Sequence, residues 1–469
     1  MAGALAGIRI LDHGIVQAGT YPARLFADFG AEVIRVENYV RPDLSRNYIF
    51  PEGQPGERYW EHGGPYHEQH RNKPYCVGVD LTNPAGRDVF LRLVRECDVV
   101  LDSHPPDVLE KLNLSFERLR EVKPNVILVS TSGYGVGGPY STTRSYGMMT
   151  EIMSGISWLN RYPGEEPRRG NLPLTDHPAT YHIAFLMLAA LERRERTGEG
   201  CWVDVSQYEL GINMVGDVHL ARAFGAELPR LQGNAEGGAP LAGCFRCDDG
   251  ERWVAVEVCD REAWRGLCAL VGLDRLETVR NPWSSPLDEI ERSEVADAVS
   301  VWLSGRHGED AVAELQRRHV PAAVVTDVRD LLLDRHLEER GFFWLVDHDA
   351  QQGAGRRAWP GPSAQLSRTP AELRARAPML GEHNHRVATK LLGLTEREYE
   401  ELVASGALGT LPAAAAVEMP VEDPTARTKL PASSQARLAA VDQEYLDRLR
   451  ARFGSEFGPV AAEPDGARG

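Results

Sequence analysis

One aspartate, Asp176, has the sequence context of a reactive carboxylate. It precedes a long apolar stretch in residues 171–209, NLPLTDHPATYHIAFLMLAALERRERTGEGCWVDVSQYE, with Pro178 two positions later. Proline suits the first turn of a helix, so Asp176 is predicted at or just before a helix N-terminus, and residues 182–191 are predicted to be buried on nearly every side. There, backbone N–H groups and the helix dipole keep a carboxylate ionised, each contributing about 0.3–1 kcal/mol. Such an aspartate either caps the helix or serves as a nucleophile.

The composition limits the classes of protein that could carry this residue. The chain has 469 residues, 42% of them hydrophobic, which predicts two domains with real cores. A net charge of -16 argues against nucleic acid as the main partner. No apolar run approaches the roughly 20 residues of a membrane span, and the opening MAGALAGIRILD lacks the pattern of a signal peptide. We therefore expect a cytoplasmic protein with neither nucleic acid nor membrane as a partner.

Cysteine and histidine patterns bear on metal binding. The seven cysteines are scattered, as expected of reduced thiols, and Cys244 and Cys247 form one CxxC without a second pair at metal spacing. The histidines His62, His67 and His70 lie close in sequence but lack the HExxH spacing that places two imidazoles on one helical face. The sequence therefore predicts no metal site.

The N-terminal part of the chain alternates apolar strands with helices. The predicted strands are GIRILDHG, AEVIRVEN, YCVGVDL, DVVLDS and NVILVSTSG, and the first predicted helix runs from Tyr21 to Phe29. This alternation predicts an α/β fold with a mostly parallel sheet.

Ligands of such sheets bind at the carboxyl ends of the strands. Small and polar residues occupy these ends here. Val16, Gln17 and Ala18 follow the first strand, and Ser132 lies at the end of NVILVSTSG. These four residues are therefore candidate ligand contacts.

The second half of the chain predicts a smaller domain and a return to the first. Composition shifts at QGNAEGGAP, after which CFRCDDGERWVAVEV and DREAWRGLCALVG are typical of an α+β domain. We predict that residues 1–215 form the N-terminal part of a large domain, 216–335 a linker and small domain, 336–410 a segment completing the large domain, and 411–469 a linker-like tail with a peripheral helix.

Together these segments resemble the class III coenzyme A transferases, of the formyl-CoA transferase and carnitine-CoA transferase type. The resemblance covers roughly residues 7–395, and its most specific pieces are FADFGAEVIRVE, the run from Asp176 into LAALERRERTGEG, and APMLGEHN. It implies a Rossmann-like large domain with a small domain inserted in sequence. It also implies an open-ring protomer in an interlocked homodimer.

The resemblance assigns chemistry to two residues singled out above. Asp176 matches the family's nucleophilic aspartate, which carries first an acyl group and then coenzyme A, so the substrates would be an acyl-CoA thioester and a small carboxylic acid, with no tightly bound cofactor. Gln17 matches an active-site glutamine, whose amide would hydrogen-bond the Asp176 carboxylate or an acyl oxygen. A turn residue that satisfies local backbone is the alternative for Gln17.

A glycine loop is the third implied element. Gly237 and Gly238, in GNAEGGAP, match a loop that folds over the aspartate, where backbone N–H groups could stabilise an oxyanion. Glu236 and Ala239 interrupt the longer glycine run of the formyl-CoA enzymes, and an ordinary loop before a strand is the alternative.

Coenzyme A carries several phosphate charges, which an acidic protein must meet with local cations. The residues predicted to contact coenzyme A besides Val16, Ala18 and Ser132 are Arg41, Asn72, Lys73 and Lys111, with Lys111 standing where the family more often has arginine. Solvated surface charge is the alternative for the cations. The aromatic residues 48–69 exceed the family pattern in length, and we hypothesise that they shape the acyl pocket.

Two other functions stay open from the sequence. An α-methylacyl-CoA racemase needs a base on each face of the α carbon, but Ser145, Tyr146 and Gly147 replace the histidine-containing triplet of those enzymes, and tyrosine is a poor base at neutral pH. His177 would serve only from the opposite face of the substrate. A non-catalytic partner subunit is the second alternative, although such subunits can lack the aspartate that this chain retains.

Overall fold

The computed structural model describes residues 3–51, 58–162, 164–170, 172–226, 233–234, 239–247, 252–279, 281–412 and 442–458. The chain divides into two units. The first comprises Met1–Ser154, Gly170–Met214 and Leu332–Gly469, and the second comprises Gly155–Arg169 and Val215–Leu331.

A six-stranded parallel sheet forms the centre of the first unit. Its strands are β1 (Arg9–His13), β2 (Glu32–Glu37), β3 (Tyr75–Gly78), β4 (Val99–Asp102), β5 (Ile127–Ser132) and β6 (Cys201–Ser206). They lie in the order β3-β2-β1-β4-β5-β6, and every neighbouring pair is parallel. This confirms the predicted α/β class. The order reverses between β1 and β4, which is where sheets of this kind open a crevice at the carboxyl ends of their strands.

The described helices are numbered here in chain order across both units. They are α1 (Val16–Asp28), α2 (Gly64–His70), α3 (Pro84–Glu96), α4 (Asp107–Lys111), α5 (Phe116–Val122), α6 (Gly147–Met153), α7 (Ile156–Leu159), α8 (Asp176–Thr197), α9 (Gln207–Met214), α10 (Gly216–Ala223), α11 (Arg261–Val271), α12 (Asp274–Val279), α13 (Glu289–Leu303), α14 (Gly308–Arg317), α15 (Val328–Leu333), α16 (Arg335–Glu339), α17 (Asn384–Arg386), α18 (Glu396–Ala404) and α19 (Gln443–Phe453). Short 3-10 turns occupy Leu44–Asn47, Tyr59–Glu61 and Ala350–Gln352, and a π turn occupies Val387–Leu391. No helix among the described residues combines the length and the apolar character needed to cross a bilayer.

The sheet is covered on both faces because its side chains alternate. Ile10 and Leu11, adjacent in β1, are fully buried in two different hydrophobic clusters, one on each face. The same alternation occurs in β5, where Ile127 and Leu128 belong to opposite clusters. Burial on both faces explains the continuous apolar runs from which the strands were predicted.

The helix that begins at Asp176 is apolar all round but only half covered. Ile183 and Met187 are fully buried, whereas Tyr181, Phe185 and Leu188 are 55%, 65% and 46% exposed. The prediction that residues 182–191 are buried on nearly every side is therefore wrong for this single chain. Helix α1 and the sheet cover one face of α8, and three large apolar side chains on its other face lie open.

Helix α1 begins earlier than predicted, at Val16 instead of Tyr21. Val16 has a positive φ of 55°, which is uncommon for a β-branched residue, and its N–H donates to Asp43 Oδ2 at 3.0 Å. Asp43 is distant in sequence, so local patterns could not reveal the contact that fixes this start.

The second unit has a core of its own. Its antiparallel strands are β7 (Ala242–Arg246), β8 (Trp253–Glu257) and β9 (Ala322–Val324). Side chains from α11, α13 and α14 pack in one buried cluster with this sheet. The first unit is completed by an antiparallel pair, β10 (Phe343–Asp347) and β11 (Arg356–Pro360). In the tail, α19 lies within the helix predicted from the sequence, and residues 413–441 are outside the described residues.

Candidate active site

Asp176 is the first residue of α8, and only 7% of the residue is exposed. The hydroxyl of Thr175, the residue before the helix, donates to the carbonyl of Gly147 at 2.9 Å. The carboxylate of Glu151 accepts from the backbone N–H of Gly170 at 2.9 Å and of Leu174 at 3.0 Å. These bonds tie the segment before α8 to α6 and hold Asp176 in position.

Two residues that were not among the predicted catalytic residues contact the Asp176 carboxylate. Gln207, the first residue of α9, donates from Nε2 to Asp176 Oδ1 at 3.0 Å. Gly147, the first residue of α6, lies against the same carboxylate so closely that a methyl group there would collide with Oδ1. The same methyl group would lie 2.8 Å from Oδ2, so a residue without a side chain is needed where α6 packs against this carboxylate.

The environment raises the pKa of Asp176 to about 6. Burial is the main cause, the hydrogen bond from Gln207 opposes it, and the nearby carboxylate of Glu151 adds to the rise. A carboxylate with this pKa is about nine-tenths ionised at pH 7, and it is more basic than a solvated aspartate. It can therefore act as a nucleophile near neutral pH.

The first sequence-predicted partner, Gln17, lies beside this site. Its amide nitrogen is 3.1 Å from Nδ1 of His177, the neighbour of Asp176, and its Oε1 is 3.5 Å from Nε2 of Gln69. Helices α1 and α8 pack together, which brings Gln17 to the start of α8. The amide thus bonds the residue next to the predicted nucleophile, and its bond to the carboxylate or to an acyl oxygen stays a prediction.

Tyr48, at the start of the aromatic residues 48–69, lies close enough to Asp176 for the two groups to interact electrostatically. Burial raises the pKa of its phenol, and the negative charges of Asp43 and Asp176 raise it further. The phenol is therefore neutral and retains its proton at physiological pH. Gly237 and Gly238, predicted to form the loop over the aspartate, lie outside the described residues.

The predicted contacts to coenzyme A fall into two groups. The first group lies at the start of α1, at the end of β5 and on the surface of the first unit, and Ala18 within it is buried. Val16 and Ala18 are in the first turn of α1, and Ser132 ends β5, where its Oγ accepts from Gly135 N at 3.0 Å. Arg41 is exposed, and Lys111 is exposed and paired with Asp107 four residues earlier.

The second group, Asn72 and Lys73, is buried. The Lys73 ammonium contacts Asp12 Oδ2 and Thr20 Oγ1, each at 2.7 Å, and burial lowers its pKa to about 8. The Asn72 amide donates to Asp28 at 2.7 Å. In this conformation buried hydrogen bonds within the protein hold both side chains, and their contact with coenzyme A stays a prediction.

Of the residues around Asp176 that sequence reasoning missed, Gln207 left a signal. Gln207 follows β6 directly, so it stands at the same carboxyl edge of the sheet that predicted Gln17 and Ser132. Gly147 belongs to the triplet compared with the racemases, which predicted no contact with Asp176. Glu151 left no signal, because α6 is short and only its tertiary packing brings it to Asp176.

Known proteins resemble this chain over most of its length. Residues 5–384 match the family model described as CoA-transferase family III. A probable CoA-transferase of Mycobacterium tuberculosis is 30% identical over 406 residues, which is 85% of this chain and 49% of that protein, so the chain spans about half the length of this relative. The succinyl-CoA–L-malate CoA-transferase alpha subunit of Chloroflexus aurantiacus is 27% identical, covering 85% of this chain and 91% of the relative.

A third relative and one solved structure also match this chain over most of its length. The formyl-CoA:oxalate CoA-transferase of Afipia carboxidovorans is 26% identical over 88% of this chain and 100% of its own. A CAIB/BAIF family protein from Brucella suis shares the fold with a TM-score of 0.72 at 23% identity, covering 83% of this chain and 100% of that one. CoA-transferase activity is what the family and the names of these relatives support. Because the family match runs from before β1 through Asp176 and the second unit to α17, the chain belongs to CoA-transferase family III.

Proposed function

We propose that this protein transfers coenzyme A from an acyl-CoA donor to a small or medium carboxylic acid, with Asp176 as the nucleophile. The observation that carries the proposal is one buried, mostly ionised carboxylate at the start of α8, with a single described hydrogen-bond donor on Oδ1 and glycine beside it. Because Gln207 occupies Oδ1, Oδ2 is the oxygen that attacks.

The reaction begins with a bond between Asp176 Oδ2 and the donor's carbonyl carbon. The carbon–sulfur bond breaks, the electron pair leaves with the CoA thiolate, and a mixed anhydride forms. The thiolate then attacks Asp176 Cγ and releases the donor acid as a carboxylate, which leaves an aspartyl-CoA thioester. The acceptor carboxylate reverses these two steps with its own oxygen, so no net proton is consumed.

Gln207 has a defined part in these steps. While Asp176 is a carboxylate, the Gln207 amide stabilises its charge and keeps it ionised. When Cγ becomes tetrahedral, the same amide faces the oxygen on which negative charge develops. Loss of one such donor typically lowers a rate by about 10²- to 10³-fold.

The experiment that tests the proposal is intact-protein mass spectrometry after incubation with a panel of acyl-CoA thioesters, with and without hydroxylamine. We expect an adduct of the acyl group or of coenzyme A that hydroxylamine removes and that Asp176→Ala does not form. Glu192→Gln, which removes an exposed carboxylate from the same helix, is the matched control and should label like the wild type.

Two results would contradict the proposal. Equal labelling of wild type and Asp176→Ala would exclude Asp176 as the attacking group. Absence of any adduct, together with exchange of the substrate's α proton into solvent, would favour racemase chemistry. A third result, absence of the adduct and of proton exchange alike, would favour a non-catalytic subunit.

We also propose that the chain acts as a homodimer. In the single chain, Tyr181, Phe185 and Leu188 form an apolar face of α8 that is exposed to water. Contiguous exposed apolar surface of this kind is typical of an interface with another protein chain. Relatives from Chloroflexus aurantiacus are named as alpha and beta subunits, so a second, different chain is the other outcome to be tested.

A further inference from the structure

Two histidines and an aspartate converge where the strand order of the sheet reverses. His13 ends β1 and Asp102 ends β4, and the two residues are register partners in adjacent parallel strands. Nδ1 of His13 lies 2.9 Å from Asp102 Oδ1, and Nδ1 of His104 lies 2.8 Å from the same oxygen. Each residue offers one ligand atom, and the three atoms lie within 4.8 Å of one another.

The three side chains are held rigidly before any ligand arrives. His13 and Asp102 are buried, and His104 is 22% exposed at its side chain. The two imidazoles stack with ring centroids 4.3 Å apart and an interplanar angle of 24°, and Phe90 meets the His13 ring edge-on at 5.4 Å. A preorganised set of ligands loses little conformational freedom when it binds.

A small cavity opens onto Asp102 and His104. Its volume is about 30 Å³, the share of one water molecule in the liquid, so it can hold a solvent ligand. Its other charged residues are Glu110, Glu117 and Asp204, so every charged side chain that lines it in the described structure, apart from the histidine, is acidic. Such a cavity attracts a cation and repels an anion.

We propose that His13, Asp102 and His104 bind one divalent transition-metal ion of the zinc class, with solvent from the cavity in a fourth position. Two imidazole nitrogens and one carboxylate oxygen are ligands that Zn²⁺ and Co²⁺ accept, whereas Mg²⁺ and Ca²⁺ prefer oxygen alone. The metal takes the place of the two N–H···O bonds to Asp102. Each neutral imidazole keeps its one proton, which moves from Nδ1 to Nε2.

The site has a structural consequence for the neighbouring loops. Ile15 N–H donates to Ser103 Oγ at 2.8 Å, so the segments that follow β1 and β4 already touch. A metal bound by His13 and His104 would clamp these same two segments. It would therefore stabilise the turn that leads into Gln17, without contacting Asp176.

Metal binding tests this site without any activity measurement, so its failure can be told apart from a failure of the proposed function. The full chain would be stripped with EDTA, dialysed, and titrated with Zn²⁺ and, separately, with Co²⁺. We expect one equivalent to bind, a Co²⁺ visible spectrum without a thiolate-to-metal band, and a higher thermal midpoint in the metal-bound protein.

His104 is the residue to change, since it is the most exposed of the three and its loss disturbs the core least. His104→Ala should weaken Zn²⁺ binding by more than about 10-fold, the lower end of the loss seen when a residue that only orients a ligand is removed. His385→Ala, which changes an exposed histidine bonded to Glu396, should bind like the wild type. If His104→Ala fails to fold, His104→Gln retains the bulk of the side chain and carries the same expectation.

The proposal would be overturned by folded wild-type protein that binds no equivalent of either metal. It would equally be overturned by His104 variants that bind as tightly as the wild type, or by a Co²⁺ spectrum dominated by thiolate, which would assign the metal to cysteine. In those cases the three residues form a hydrogen-bonded trio only.

Discussion

Replacing Gln207 with leucine should move the pH dependence of the enzyme upward. The Gln207 amide is the single described donor to the Asp176 carboxylate, at 3.0 Å from Oδ1, and it is the interaction that opposes the effect of burial on the pKa of Asp176. Leucine has similar bulk but no donor, so it leaves the carboxylate buried without its hydrogen bond.

The size of the effect follows from the strength of that bond. A hydrogen bond to a charged group is worth about 1.5–3 kcal/mol, and one pKa unit corresponds to about 1.36 kcal/mol. The pKa of Asp176, about 6 in the wild type, should therefore rise by about 1 to 2 units in Gln207→Leu. At neutral pH most of the variant's Asp176 would be protonated and unable to attack.

The assay is the pH profile of kcat/KM, which reports the pKa of the free enzyme. Its acid limb should shift to higher pH by about 1 to 2 units, and part of the lost activity should return at alkaline pH. Gln316→Leu is the matched control, since that amide donates to a main-chain carbonyl in the second unit, and its profile should not move. A Gln207→Leu profile that is lowered equally at every pH, with its acid limb unmoved, would refute the reasoning.

Three further predictions concern stability and assembly. Asp176→Asn should be more stable than the wild type at pH 7 by up to about 3 kcal/mol. The pKa of Asp176 is about 6 in the folded protein and about 3.9 in the unfolded chain, so the ionised carboxylate opposes folding. Thermal unfolding at pH 7 and pH 4 checks this prediction, and the advantage should vanish at pH 4. The free energy of unfolding of the wild type should fall as the pH drops from about 6.5 toward 4, because burial lowers the pKa of His348 to about 4 and that of His67 well below its usual value. In this window the unfolded state gains a proton at each histidine, which outweighs the one proton that the native state gains at Asp176. A denaturation series should show this slope, and a flat profile between pH 6.5 and pH 5 would contradict it. Phe185→Glu, which places a charge on the open face of α8, should convert a dimer to monomers in light scattering, whereas an unchanged mass would remove that face from the interface.

Several features of the protein could be predicted from local patterns alone. Strands buried on both faces produce continuous apolar runs, so β1, β2, β4 and β5 were evident in the sequence, as was the parallel sheet that their alternation with helices requires. The position of Asp176 at the start of α8 was equally local, since proline and the apolar run mark a helix start.

The tertiary structure decided which residues meet at that aspartate. Gln207 and Gly147 are separated from Asp176 by 31 and 29 residues. The end of β6 places Gln207 at the ligand edge of the sheet, but the sequence pairs neither residue with Asp176. For Lys73, the tertiary structure separates a residue from the role that its sequence context predicted. Lys73 has the sequence context of a phosphate ligand, but its ammonium is enclosed by Asp12 and Thr20, which lie 61 and 53 residues away in sequence.

The sequence by itself therefore predicted the fold class and the place of Asp176 at a helix start, because periodicity and helix-start chemistry are properties of neighbouring residues. The family followed from the resemblance of its motifs to known proteins. Only the tertiary structure decided the pKa of that carboxylate, its donor, and the meeting of His13 with Asp102 and His104. Burial and the meeting of side chains depend on elements that are distant in sequence. The order of the strands decides which of these elements become neighbours.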